Sequence, residues 1–185
     1  MENYALLGER VRLRPLHRDD LAVFYSYRSD PEVCRYQGFD VFDEQMARRF
    51  IAEQSQMPMM AVGEWVNIGV EDRETGRLLG DVAVHQLAKN DQLVELGYTI
   101  HPAEQGRGIA TEALRVLLTE LFMHHAIHKV VAEVDVRNEA SYRLLERLGF
   151  EREAHMREGF YDPTDEAWFD EYWYGLLARD FSPTR

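Results

Sequence analysis

A chain of 185 residues makes one domain or at most two small ones, and its 45% hydrophobic and 11% aromatic content supplies a core and excludes a disordered polymer. The 33 acidic against 21 basic residues give a formal charge of −12, which argues against broad binding to nucleic-acid phosphates or an anionic membrane surface. A single cysteine, Cys34, excludes an internal disulfide and a cysteine-pair zinc site.

Residues 1–20 have no apolar stretch of the signal-peptide kind, and no apolar run reaches the roughly 18 residues of a membrane span, so a cytoplasmic location is expected. The acidic excess serves either solubility or a cationic partner; composition leaves both open. Val11–Pro15 alternates apolar and basic side chains and predicts a short strand. Asp19 or Asp20 is expected to cap a helix carrying Leu21, Phe24 and Tyr25. Asp30–Pro31 begins another short turn or helix, and 43–54 predicts a helix with Met46, Ala47, Phe50 and Ile51 on one face. Three strands follow, at Trp65–Glu71, Leu78–Gln86 and Asp91–Ile100. Glu74–Thr75–Gly76 makes the first hairpin turn.

Ala110, Ala113, Leu114, Leu117, Leu118, Leu121 and Phe122 form the most regular apolar stripe in the chain and predict a long helix. His124, His125, His128 and Lys129 cluster at its C-terminal end and read as complements of the helix dipole. No HExxH or carboxylate spacing accompanies them, and no metal site is expected. Val130–Val136 predicts a buried strand. Asn138 caps a helix with Ala140, Leu144, Leu145 and Leu148 on its core face, and Gly149 stops it. Phe150–Met156 and Trp168–Leu177 close the chain as two strands joined by a polar loop containing Asp162–Pro163. The expectation is one mixed α/β domain over residues 1–185 with about seven strands.

Gln105–Gly106–Arg107–Gly108–Ile109–Ala110 lies between a strand and the start of the long helix. Two glycines there allow close backbone approach, and the first free helix amides point outward with the positive dipole end behind them. That arrangement suits a phosphate or pyrophosphate, or it is a glycine-rich helix entry without a ligand. The spacing fits neither a dinucleotide fingerprint nor a P-loop. Downstream, 138–150 joins a strand to a short helix and the next strand; residue by residue it offers a cap, a first-turn serine and a helix stop.

In this order and separation the two segments resemble the GNAT superfamily of acyl-CoA-dependent N-acetyltransferases. The resemblance is nearest to its Rim-type group, which contains the ribosomal-protein N-terminal acetyltransferases. The superfamily pattern Gln/Arg–x–x–Gly–x–Gly/Ala is met by Gln105, Gly108 and Ala110. The stretches 7–16, 29–33, 95–98, 106–114, 137–141 and 145–150 resemble the Rim-type form, so the likeness covers almost the whole chain.

The resemblance implies a GNAT fold, with a mixed central sheet whose central strands splay apart and with helices on its flanks. It also implies acetyl-CoA as acyl donor. The backbone of Gln105, Gly106, Arg107, Gly108, Ile109 and Ala110 would hold the pyrophosphate, with Thr111 and Arg143 beside it. Backbone groups of Tyr98, Thr99 and Ile100 would pair with the pantetheine arm, and Asn138 would reach it from the opposite side. Gly97 inside that strand fits a bulge or a close approach.

Glu95 is the candidate base, a lone carboxylate among Leu93, Val94 and Leu96; as a bland alternative it is a solvated edge residue. Ser141 matches the position of the thiolate acid, with Tyr142 as its substitute. Tyr36 and Trp65, with Phe160, Tyr161 and Trp168, line the acceptor cleft or pack in the core. Glu158, Asp162, Asp165, Glu166, Asp170 and Glu171 form a solvated acidic loop or draw in a cationic amine. The implied acceptor is a primary amine, either the N-terminal α-amine of a protein or a small molecule such as a polyamine, an amino sugar, or an amino-acid-like or antibiotic-like amine. The alternative function is a non-catalytic acyl-CoA-binding sensor or interaction module. The family often forms homodimers.

Overall fold

The structure, a computed structural model, describes residues 4–162 and 165–183. Among these residues eight strands form one sheet: β1 (Leu6–Leu7), β2 (Val11–Pro15), β3 (Trp65–Asp72), β4 (Leu78–Gln86), β5 (Leu93–Ile100), β6 (Lys129–Asp135), β7 (Glu151–Asp162) and β8 (Ala167–Leu177). Their spatial order is β1-β2-β3-β4-β5-β6-β8-β7. All neighbours are antiparallel except β5 and β6. That pair is parallel because α4 (Ile109–His124) carries the chain back along the sheet between them.

Strand periodicity decides what each face buries. Val66, Ile68 and Val70 of β3, Val82 and Val84 of β4, and Val94 and Leu96 of β5 share one core with Leu114, Leu117, Leu118 and Leu121 of α4. Leu144 and Leu145 of α5 (Glu139–Arg147) join it. The opposite face of β3 and β4 is covered by α1 (Leu21–Arg28) and α3 (Glu44–Gln54), through Phe24, Tyr27, Ala47 and Ile51. Between them lies the short α2 (Pro31–Cys34), capped by Asp30.

A buried polar knot fixes α1 to the sheet. Asp81 of β4 accepts from Tyr27 Oη at 2.7 Å, Arg28 Nη2 at 2.6 Å and Asn67 Nδ2 at 2.6 Å. The Arg28 guanidinium also lies 3.9 Å from the Phe39 ring centroid. A charge taken out of water is tolerated when it is hydrogen-bonded in this way.

The structure departs from the sequence expectations at several elements. The eighth strand is β1, two residues long and too short to show a period. The first helix begins with a 3₁₀ turn over Arg18–Asp20, in which the His17 side chain accepts from the Asp19 amide. Asp20 makes no side-chain cap; its carboxylate takes Arg14 Nη1 and Nη2 and the His17 amide. Asp43 caps α3, but Met46 of the predicted apolar face is 39% exposed, and Gln54 is buried instead. β7 runs on to Asp162, well past the expected end at Met156, because Phe160↔Phe169 and Tyr161↔Trp168 pair it to β8 and shorten the loop. Pro163 lies outside the described residues. Among the described residues no helix is long and apolar enough to cross a membrane.

Candidate active site

The site begins where the sheet opens. β5 and β6 pair only over Leu93–Glu95 and Lys129–Val131. Beyond that point β5 stays with β4 as far as Ile100↔Gly80, while β6 stays with β8 as far as Asp135↔Glu171. The two strands therefore diverge after Glu95, and the edge of β5 from Leu96 to Ile100 has no strand beside it. The register of β4 against β5 shows no shift at Gly97, so the expected bulge is absent from that side. An added Cβ at Gly97 would meet only ordinary contacts, 3.8 Å from Trp65 and 3.9 Å from Ala83.

A groove of about 760 Å³ fills the wedge between the diverging strands. Tyr98, Thr99, Ile100, Gln105, Gly106, Gly108, Ile109, Ala110, Thr111, Asn138, Ser141 and Arg143 all line it, and so does Tyr36. Arg107 does not; its guanidinium turns to Glu104. Arg147, one helical turn after Arg143, also lines the groove. The i, i+4 spacing on a predicted helix could have found it.

The glycine loop is built for backbone exposure. Gly106 and Gly108 have φ of 73° and 78°, and Gly108 is the N-cap of α4 without a capping side chain. The first amides of α4 are therefore not satisfied by a side-chain cap. Gln105 Nε2 donates to the Ile100 carbonyl at 3.0 Å and ties the loop to the end of β5. From behind, Arg10 Nη1 donates to the Arg107 carbonyl at 2.9 Å.

On the α5 side of the groove, Ser141 sits in the first turn, its amide capped by Asn138 Oδ1 at 3.2 Å. The Asn138 NH₂ group is its remaining donor. Ser141 Oγ lies 2.7 Å from Tyr98 Oη. Burial pushes the Tyr98 hydroxyl up to about 12, against the pull of Ser141 and of the Arg147 charge. Tyr142 does not line the groove; its ring packs edge-on against Tyr172 at 5.8 Å.

Glu95 lies on the opposite face of β5 from Tyr98, at the last paired position before the strands part. Directly across on β4 is His85, with Nδ1 3.5 Å from Glu95 Oε2, and the two side chains are 23% and 24% exposed. Trp65 covers the imidazole at 5.1 Å between ring centroids and lies outside the groove. Glu133 and Glu171 share this electrostatic environment. Burial pushes the Glu133 carboxyl up, and the charges of Glu95 and Glu171 add to the effect. Burial also raises Glu171, followed by the charges of Asp135 and Glu95.

Part of the acidic C-terminal segment is structural. Asp162 and Asp165 contact Arg137, and Asp170 accepts from His155 Nε2 at 2.6 Å and the Glu158 amide at 2.9 Å. Tyr161 and Trp168 pair with each other at 5.4 Å on the β7–β8 hairpin, away from the groove.

The site is thus a wedge between two diverging parallel strands, with a helix N-terminus at one end and ionisable groups on both faces of β5. Residues 10–151 match the family model for the acetyltransferase (GNAT) domain. The chain belongs to the GNAT family and is an N-acetyltransferase.

Among its relatives, the N-acetyltransferase p20 of Bacillus licheniformis is 28% identical over 178 residues, covering 96% of this chain and 98% of its own. The ribosomal protein uS5-alanine N-acetyltransferase of Escherichia coli is 34% identical over 90 residues, 49% of this chain and 45% of its own. The crystal structure of a GNAT-family acetyltransferase from Bacillus anthracis matches with a TM-score of 0.84 at 26% identity, covering 95% of this chain and 99% of that one.

Proposed function

We propose that this enzyme moves the acetyl group of acetyl-CoA onto a primary amine that enters over Glu95, in the reducing cytoplasm. The observation that carries the reading is the parting of β5 and β6 immediately after Glu95↔Val131, with Ser141 and the glycine loop lining the resulting groove.

The groove fits the donor. Nothing lies within 4 Å of a Cβ built on Gly106, and the unpaired edge of β5 offers backbone groups to an amide-bearing arm. The amides of Gly106–Ala110 would hold the pyrophosphate, Tyr98, Thr99 and Ile100 the arm, and Thr111, Asn138 and Arg143 its flanks. When bound, acetyl-CoA supplies an acyl group activated as a thioester.

Glu95 takes the acceptor's proton, directly or through water, with His85 beside it. Ser141 faces the sulfur from the other side of β5. An α-amine with a pKa near 8 needs about one unit of help at pH 7, and an alkylamine near 10.4 about three units, or roughly 4 to 5 kcal/mol. The uS5-alanine relative supports an N-terminal α-amine as acceptor. The carboxylates of Glu133 and Glu171 support a cationic one. Nothing in the fold or the family favours a binding module without turnover.

The test is thiol release from acetyl-CoA with a panel of free-N-terminus peptides, polyamines and amino sugars. Glu95→Gln is expected to lower kcat at least tenfold at pH 7. The deficit should shrink as pH rises through the acceptor's own pKa and the free amine accumulates. Acetyl-CoA binding without release for any amine would overturn the enzymatic reading, and absence of binding would overturn the site.

A further inference from the structure

We propose that Tyr98 is a positioning residue whose hydroxyl donates to Ser141 Oγ and so turns the Ser141 proton toward the sulfur of the leaving thiol. The inference rests on the reading of Ser141 as the group facing that sulfur.

The geometry puts the two hydroxyls in contact, and the lengths of the two Tyr98 contacts favour the direction proposed. Tyr98 Oη lies 2.7 Å from Ser141 Oγ and 3.2 Å from the Ser141 carbonyl oxygen. A phenol has one proton to give, and a serine hydroxyl has one proton and two lone pairs. The shorter contact is within the usual range for a hydroxyl pair, whereas the longer one is stretched. With the phenol proton on Ser141 Oγ, the serine proton has no partner in Tyr98 and is available to the groove that Ser141 lines. In the reverse arrangement Ser141 would donate to Tyr98, the phenol proton would turn to the Ser141 carbonyl at 3.2 Å, and Ser141 would have nothing to offer the sulfur.

Three further features favour a fixed donor. Tyr98 is held on β5 by the register Val82↔Tyr98, on the face that carries α5. The backbone of Ser141 is fixed by the Asn138 cap. Burial keeps the Tyr98 hydroxyl protonated across the range in which the amine reacts.

The chemistry balances without any further reactant. The acceptor nitrogen bonds to the thioester carbon, the C–S bond breaks, and its electron pair stays on sulfur. The nitrogen loses one proton and the sulfur gains one. Ser141 hydrogen-bonds the sulfur as charge develops, and Tyr98 supports Ser141 from behind. The attacking amine and the leaving thiolate are then served from opposite faces of one strand, Glu95 on one and Tyr98 with Ser141 on the other.

The test compares Tyr98→Phe, Ser141→Ala and the double variant. Tyr98→Phe keeps the ring and its packing and removes the hydroxyl. It is expected to lower kcat about tenfold, with the KM for acetyl-CoA within about twofold of the parent, as for loss of one oriented hydrogen bond. In the Ser141→Ala background the same change is expected to have no further effect.

A second readout needs no turnover: titration of the thiol of bound CoA by its ultraviolet thiolate absorbance. Both single variants should move that titration to higher pH by about one unit relative to the parent, a tenfold loss of thiolate stabilisation. Parent-like kcat and titration in Tyr98→Phe, with both changed in Ser141→Ala, would overturn the inference and leave the role of Ser141 standing. Losses that multiply in the double variant would also overturn it. Parent-like behaviour of Ser141→Ala would overturn the reading beneath it.

Discussion

Glu112 joins two segments 102 residues apart in sequence. Its Oε1 accepts the amides of Arg10 at 2.6 Å and Val11 at 3.1 Å, and its Oε2 accepts Arg10 Nε at 2.8 Å. Arg10 in turn holds the Arg107 carbonyl, so the glycine loop is braced from β2 through this one carboxylate. Burial pushes the Glu112 carboxyl up, but the amides and guanidinium of Arg10 and the Val11 amide outweigh it and leave it below its ordinary value. A depressed carboxylate contributes stability above its unfolded pKa of about 4.3, and that stability fades as pH falls through the folded value. Glu112→Gln should therefore cost about 1 to 3 kcal/mol near pH 7, read as a lower midpoint in denaturant. The gap to the parent should narrow as pH falls below about 4.3 and close once it passes the lowered folded value. A gap that persists there would mean packing, not charge, holds the loop. In the sequence Glu112 reads as one acidic residue in a helix's first turn, and its partners are invisible because they come from the far end of the chain.

At the scale of elements, the end of β5 matters most, because its free edge lines the groove. Gly80 on β4 lies directly opposite Ile100. A Cβ there would stand 2.3 Å from the Thr99 carbonyl oxygen and 2.8 Å from the Ile100 Cα, both backbone atoms that cannot rotate away. Gly80→Ala should push the two strands apart where Thr99 and Ile100 line the groove. We expect a loss of about 1 to 3 kcal/mol in stability and a severalfold rise in the KM for acetyl-CoA, with a smaller effect on the acceptor's KM. Equal change in both constants would place the damage elsewhere. The long helix and the Asn138 cap were legible because periodicity and capping are local. The splay was not. It arises because β6 stays with β8 along its whole length but keeps β5 only as far as Val131, and pairing across the sheet leaves no local mark in either strand.

For the whole molecule, the charge of −12 acquires a geography. Glu95, Glu133 and Glu171 lie on one face of β5, β6 and β8, the face opposite α4, whereas Asp135, Asp162, Asp165 and Asp170 are engaged with Arg137 or His155. A cationic acceptor approaching the first face is attracted over a distance that salt controls. Between about 0.01 M and about 1 M salt the screening length falls from about 30 Å to about 3 Å. At saturating acetyl-CoA, the KM for a polyamine should rise severalfold over that range with kcat steady, and more than for a peptide whose only charge is its α-amine. A salt-independent KM would return the acidic excess to a role in solubility. By itself the sequence determined the fold class, the order of nearly all elements and the glycine loop at the entry of α4, because each is written in local spacing, while the family showed as a resemblance spread over almost the whole chain. Only the tertiary structure decided that the Arg107 guanidinium pairs with Glu104, that Trp65 lies over His85 outside the groove, and that Tyr98 reaches Ser141. These depend on which strands run side by side and where they part, and that is set by burial summed over the whole chain.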